Sequence, residues 1–389
     1  MPQKKPTRPA ARTATRPAKN GAPKKKVATR SANSAPGSKQ AGAHRAAARP
    51  SAQRSAAARP TARTSARTPA KAAPKRAPAG RPTAGGATPA PGAGQPDRRL
   101  LQASLLEIIR KTSAELPPDV VDAIARGRAA ESEGSNALWA MKVIEENITL
   151  ACDKSQPLCQ DTGTIIFFVK LPKGIDERVF RRLAENAVAT ATEKGYLRQN
   201  SVDSLTGRNS GNNLGPGSPV FHIHTWDKPG MDIRLVLKGG GCENMGAQYS
   251  LPDTRLGAGR DLAGVEKCLL DAAYQAQGKG CGPGVLGVAV GGDRATGYEE
   301  SKRQFLRTLD DGNPVPELAG LETRVTEKCN ELGIGPMGFG GKTTLLGCKI
   351  GVLNRLPASY FVSVSYMCWA YRRQGAELDA GGTIRRWLY

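Results

Sequence analysis

The stretch PLCQDTGT (157–164) sets the thiol of Cys159 two residues from the carboxylate of Asp161, directly ahead of an apolar run. A cysteine so placed can be a buried structural thiol, a nucleophile or one arm of a metal site. The nucleophile reading lacks a base: the histidines are His44, His222 and His224, all distant in sequence. Two more cysteines stand at comparable places, Cys281 opening the turn CGPG and Cys368 closing the aromatic strand SYMCW. Thiolate is a soft ligand that iron favours, and three thiolates from distant loops suit an iron–sulfur cluster with one iron left open. No CxxC pair is present, so spacing alone leaves a metal centre and buried thiols both open. His222 and His224 share one face of a strand; zinc could use them, and hydrogen-bonded strand histidines are the alternative.

Glycines gather at three strand ends: KGGGCEN (238–244), CGPGVLGVAVGGD (281–293) and GIGPMGFGGKTT (333–344). Glycine there permits positive φ and lets backbone amides approach a ligand, anions above all. The third loop imitates a phosphate-binding loop but fails on spacing. Counting back from Gly341-Lys342-Thr343, Pro336 occupies the place of the first required glycine.

The elements that must position these residues follow from periodicity. Helical spacing begins near Leu100 in LLQASLLEIIRKTSAEL and is stopped by Pro117-Pro118; DVVDAIARGRAAE and SNALWAMKVIEENITLACDK read as two further helices. Beyond Cys159 the texture changes to short apolar strands between Gly-rich turns: TIIFFVKL, SPVFHIHTW, DIRLVLKGGG, GVLGVAVGG, KIGVL and YFVSVSYMCW. Helices in DERVFRRLAENAVATATEKG and TRLGAGRDLAGVEKCLLDAAYQAQGKG are long enough to cover them. The expected class is α/β, in mixed α+β layers: a helical lead-in, then mixed sheets with Gly-rich loops.

Composition divides the 389 residues in two. Residues 1–96 hold no Asp or Glu and 21 Lys plus Arg, nearly all of the formal +23. The remainder is almost neutral. With only Met1 and Val27 as large apolar residues, this segment cannot offset the entropy of ordering a chain. We therefore expect a disordered basic tail over 1–98 and one folded domain over 99–389. The tail's repeated basic steps suit contact with a polyanion or nucleic acid; a solvated low-complexity extension is the plainer reading. No apolar run reaches membrane-spanning length and no secretory signal is evident, so a soluble cytoplasmic protein is expected. Eight cysteines in a chain this long do not suggest a disulfide framework.

Five motifs in order, CQDTGT, KGGGCEN, CGPGVLGVAVGGD, GIGPMGFGGKTT and LPASYFVSVSYMCWAYRR, resemble the alpha part of the iron–sulfur-dependent class I fumarate hydratases and L(+)-tartrate dehydratases. The resemblance covers about Leu100 to Tyr389 and excludes the tail. It implies a [4Fe-4S] cluster held by Cys159, Cys281 and Cys368, with Cys348 in LLGCKIG as the alternative third ligand. It implies that Gln160, Asp161, Arg198 and Gly241 meet the substrate and that Asp161 takes part in proton transfer. Cys242 stands where serine is commoner, and Leu356 where histidine usually precedes Pro-Ala-Ser. The implied reaction is reversible hydration of fumarate to (S)-malate, with dehydration of L(+)-tartrate as the near alternative. The family's beta part supplies the rest of the active site, so a separate beta subunit in an alpha-two beta-two assembly is implied. A different class of reading, a nucleic-acid-associated protein acting through its tail, would leave the site residues without a task.

Overall fold

The computed structural model describes residues 95–389; residues 1–94 of the expected tail lie outside them, and its last residues, Asp97 and Arg98, instead open the first helix. Helix α1 (Arg98–Ala114) starts where the Asp97 carboxylate accepts the free N–H groups of Arg99 and Leu100. Pro118 does more than stop it. With no N–H to lose, it opens α2 (Pro118–Ala130) at the first helical position. Helix α3 (Asn136–Lys154) is capped by the Ser135 hydroxyl. The three lead-in helices expected from periodicity are all present.

Two sheets follow. In the first, β1 (Thr164–Pro172) lies between β2 (Val220–Trp226), which runs parallel, and β3 (Met231–Lys238), which runs antiparallel; β8 (Arg372–Leu378) and β9 (Ile384–Trp387) extend it antiparallel. The second has the order β4 (Ala247–Ser250), β7 (Phe361–Met367), β5 (Gly284–Val290), β6 (Leu345–Val352), with β5 and β6 parallel and the other pairs antiparallel. Between strands run α4 (Glu177–Glu193), the short α5 (Gly240–Asn244), α6 (Leu262–Ala276), α7 (Arg294–Arg303) and α8 (Pro316–Glu331). The architecture is the mixed α/β layering that the sequence predicts.

Period-two alternation assigns each strand face to a core. Ile165, Phe167, Val169 and Leu171 of β1 pack with α1 and α4, whereas Ile166 and Phe168 turn to the opposite face. Leu286, Val288 and Val290 of β5, with Val362, Val364 and Tyr366 of β7, pack with α6 and α8. A third cluster draws on both sheets and on α2 and α3, and includes Ile166, Val236, Val285 and Met367. Cys159, Cys242, Cys281 and Cys368 all belong to this third cluster or pack against it.

Candidate active site

The turn 159–163 is held from three sides. Its Cys159 sulfur accepts from the Asp161 N–H at 3.4 Å. The buried Thr162 hydroxyl donates to the Arg198 carbonyl at 2.8 Å and accepts from the Arg198 N–H at 2.9 Å, which docks the loop after α4. Gly163 has φ +74°, and a Cβ there would run into the Lys238 carbonyl, so only glycine lets β1 and β3 close at this end. The Asp161 carboxylate is fixed at both oxygens: Oδ2 accepts from Gly240 N–H at 2.6 Å and Oδ1 from Asn200 Nδ2 at 2.8 Å. Asn200 in turn is held through its own N–H by Asn213 Oδ1 at 2.8 Å. Three motifs far apart in sequence therefore meet around one carboxylate. Gln160, Arg198 and Gly241 are exposed at this place, while Asp161 and Asn200 are half-buried.

The thiols are brought together by turns from both sheets. Cys281 precedes β5 in a left-handed conformation (φ 56°, ψ 57°), and its carbonyl accepts from Trp369 N–H at 3.3 Å, tying it to the segment after Cys368. Burial pushes the Cys281 thiol up, with Cys242, Cys159 and Asp161 adding to the shift. Cys368 follows β7 at the step where the chain leaves the four-stranded sheet for the five-stranded one. The Cys242 and Cys368 thiols act on each other: Cys368 pulls the Cys242 thiol down to about 7, with Lys238 and Arg372 acting the same way against burial. The same pairing, together with burial, drives Cys368 well above the ordinary thiol range. Metal ligation demands thiolate, so loading a metal at Cys281 and Cys368 would release protons.

Cys348 is elsewhere. It lies in the core beneath α6 and α8, beside Cys329 and Glu322, and burial holds its thiol protonated. Cys368, by contrast, belongs to the cluster against which Cys159 and Cys281 pack.

Sequence reasoning missed three neighbours of the site. Lys238 is fully buried and its Nζ donates to Glu243 Oε2 at 3.0 Å; Lys302 bonds the other oxygen at 2.6 Å. Burial pulls the Lys238 amine below the usual lysine range, and Glu243 opposes that shift. Asn200, two residues past Arg198, and Arg372, four past Cys368, were legible only as polar residues near a motif. Arg372 is 1% exposed, and its Nε and Nη1 have no hydrogen-bond partner.

Among the described residues no three His, Cys, Asp or Glu side chains converge as ligands of a single ion. A polynuclear cluster separates its ligands by its own width and asks for a different arrangement. Thiols from three separate turns, with a buried guanidinium whose donors are free, fit such an anionic sulfur centre.

The other two chemical motifs have internal partners. His222 stacks on Phe168 and bonds Glu299 Oε1 through Nδ1 at 3.1 Å, while His224 Nε2 lies 3.3 Å from Arg303 Nη2. Hydrogen-bonded strand histidines are thus what the structure contains. In the Gly-rich loop 333–344, an internal anion sits against the backbone amides. The Glu131 carboxylate accepts from Lys342 N–H at 3.0 Å and Thr343 N–H at 2.8 Å, and a Cβ on Gly341 (φ +125°) would stand 2.7 Å from it.

The family model described as fumarate hydratase (Fumerase) matches residues 102–377, which span every turn described above. The chain belongs to the fumarate hydratase family. It is 52% identical over 293 residues to a Geobacillus stearothermophilus protein provisionally named fumarate hydratase class I, covering 74% of this chain and 57% of that one. A Methanocaldococcus jannaschii protein provisionally named L(+)-tartrate dehydratase subunit alpha is 34% identical over 285 residues, 71% of this chain and 97% of its own. The L(+)-tartrate dehydratase subunit alpha of Escherichia coli K12 is 32% identical over 266 residues, 67% and 85% of the two chains. This member thus spans little more than half of one relative and nearly all of another.

Proposed function

We propose that residues 99–389 form the alpha part of a [4Fe-4S]-dependent hydro-lyase that interconverts fumarate and (S)-malate in the cytoplasm. Cys159, Cys281 and Cys368 would hold the cluster. When bound, it supplies an open iron that acts as Lewis acid toward the departing hydroxyl. The chain's own residues do the rest. Dehydrating malate requires removal of a weakly acidic C–H proton from the carbon beside the hydroxylated one. Asp161 would take that proton and return it. Its two oxygens keep free lone pairs beyond those used by Gly240 and Asn200, and those two bonds fix their direction. Arg198 offers a planar fork to a substrate carboxylate, and Gln160 and the Gly241 backbone complete the near wall. The observation that carries this reading is a doubly anchored carboxylate in the same turn as Cys159, beside the other two thiols.

The names of the M. jannaschii and E. coli relatives favour a second substrate, L(+)-tartrate, on the same residues. Those names also support a separate beta subunit as partner, in an alpha-two beta-two assembly. Anaerobic co-expression with a beta chain, followed by assays on fumarate, malate and tartrate, tests both readings. Turnover of fumarate and malate above tartrate supports the first, and the reverse order supports the second. A loaded complex inert on all three contradicts both.

A further inference from the structure

A buried cation is costly unless it is paired, so one with free donors points to a partner still to arrive. Arg372 opens β8 with 1% exposure, and its Nε and Nη1 are buried and unpartnered. Its neighbour Arg373 also has a buried Nε and Nη1 without hydrogen-bond partners, but its charge is met: Nη2 donates to Asp119 Oδ2 at 2.6 Å, and the guanidinium lies over the rings of Tyr371 and Tyr389 at 4.6 and 4.5 Å. Arg372 has no carboxylate partner or aromatic ring of that kind among the described residues. It stands four residues after Cys368, at the start of β8 and beside the KGGG turn. Its Nη2 is 3.8 Å from where a Cβ on Gly239 would stand, a point 3.0 Å from Asp161 Oδ2.

We propose that Arg372 is a positioning residue for the metal centre: its free Nε and Nη1 groups donate to the anionic sulfur there and raise the cluster's reduction potential. The inference rests on the reading that Cys159, Cys281 and Cys368 hold a cluster. Hydrogen bonds to the sulfurs and net local charge are among the levers that set such a potential. A guanidinium supplies both in a rigid fork, and lysine would keep the charge with a different donor geometry.

The test uses the full chain prepared anaerobically in its assembly, with iron and inorganic sulfide counted. The one-electron midpoint is read by mediated titration followed by electron paramagnetic resonance. In R372Q the cluster is retained and the reduced-to-oxidised ratio at fixed potential falls about tenfold, a midpoint lower by about 59 mV for a one-electron couple. R372K recovers most of that shift. A fully loaded R372Q with an unmoved midpoint overturns the proposal. Should R372Q fail to load, R372K decides: loading with a near-normal midpoint supports the proposal, and failure to load in both variants assigns Arg372 a purely structural part and overturns it. Absence of iron and sulfide from the unaltered chain is a separate failure, that of the cluster reading itself.

Discussion

Asp161 accepts hydrogen bonds at both oxygens, and the two donors differ in kind. Gly240 contributes a backbone N–H that no substitution but proline removes, whereas Asn200 contributes a side-chain amide that can be deleted. Asn200→Ala should therefore loosen the carboxylate without removing it. We expect kcat to fall about 10-fold to 100-fold, with a smaller change in KM. Asp161→Asn, which removes the proposed proton acceptor itself, should cost about 10²-fold to 10⁴-fold. Steady-state rates on malate check both, and an Asn200→Ala enzyme with full kcat would contradict the positioning role. At this scale the sequence showed part of the site. Cys159 and Asp161 were legible because a thiol and a carboxylate in one short turn are an unusual pair. Asn200 was not, because an amide in a polar loop is ordinary until its partner is seen. Arg372 was hidden for a related reason: an arginine at a strand start reads as a surface group, and only packing shows that it is buried.

The loop 333–344 is an element whose task changed once its contacts were visible. Its glycines and Lys-Thr pair suggest an anion cradle, and the anion is Glu131, delivered by the C-terminal end of α2. Glu131 is 8% exposed and serves three contacts to two backbone amides. Hydrogen bonds to a charged acceptor contribute about 1.5–3 kcal/mol, so Glu131→Gln should lower stability by about 2 kcal/mol. Denaturant unfolding of the metal-free chain measures this, and an unchanged midpoint would contradict the account. Strands β1, β3 and β5 were readable as apolar runs because they are buried on both faces. The strand β8, RRQGAEL, was not, since its opening Arg372, Arg373 and Gln374 are polar yet almost fully buried. Pattern alone assigns such residues to a surface.

At the scale of the whole molecule, the site exists because two sheets meet. Cys159 enters β1 and Cys242 follows β3 on the five-stranded sheet, Cys281 enters β5 on the four-stranded sheet, and Cys368 sits where β7 hands the chain to β8. The order of the motifs identified the family, but this crossing between sheets carries no local signal. It is what places Cys368 beside the other thiols and leaves Cys348, twenty residues earlier in β6, on the far side of the four-stranded sheet. Cys159, Cys281 and Cys368 are proposed to hold one cluster. The most direct test is iron and sulfide content with the visible absorption spectrum, measured anaerobically on the unaltered chain and on single Cys→Ser variants at 159, 281, 368 and 348. We expect the first three variants to lose iron and sulfide and Cys348→Ser to retain both. Loss at Cys348 with retention at Cys368, or an unaltered chain without iron and sulfide, would contradict the claim.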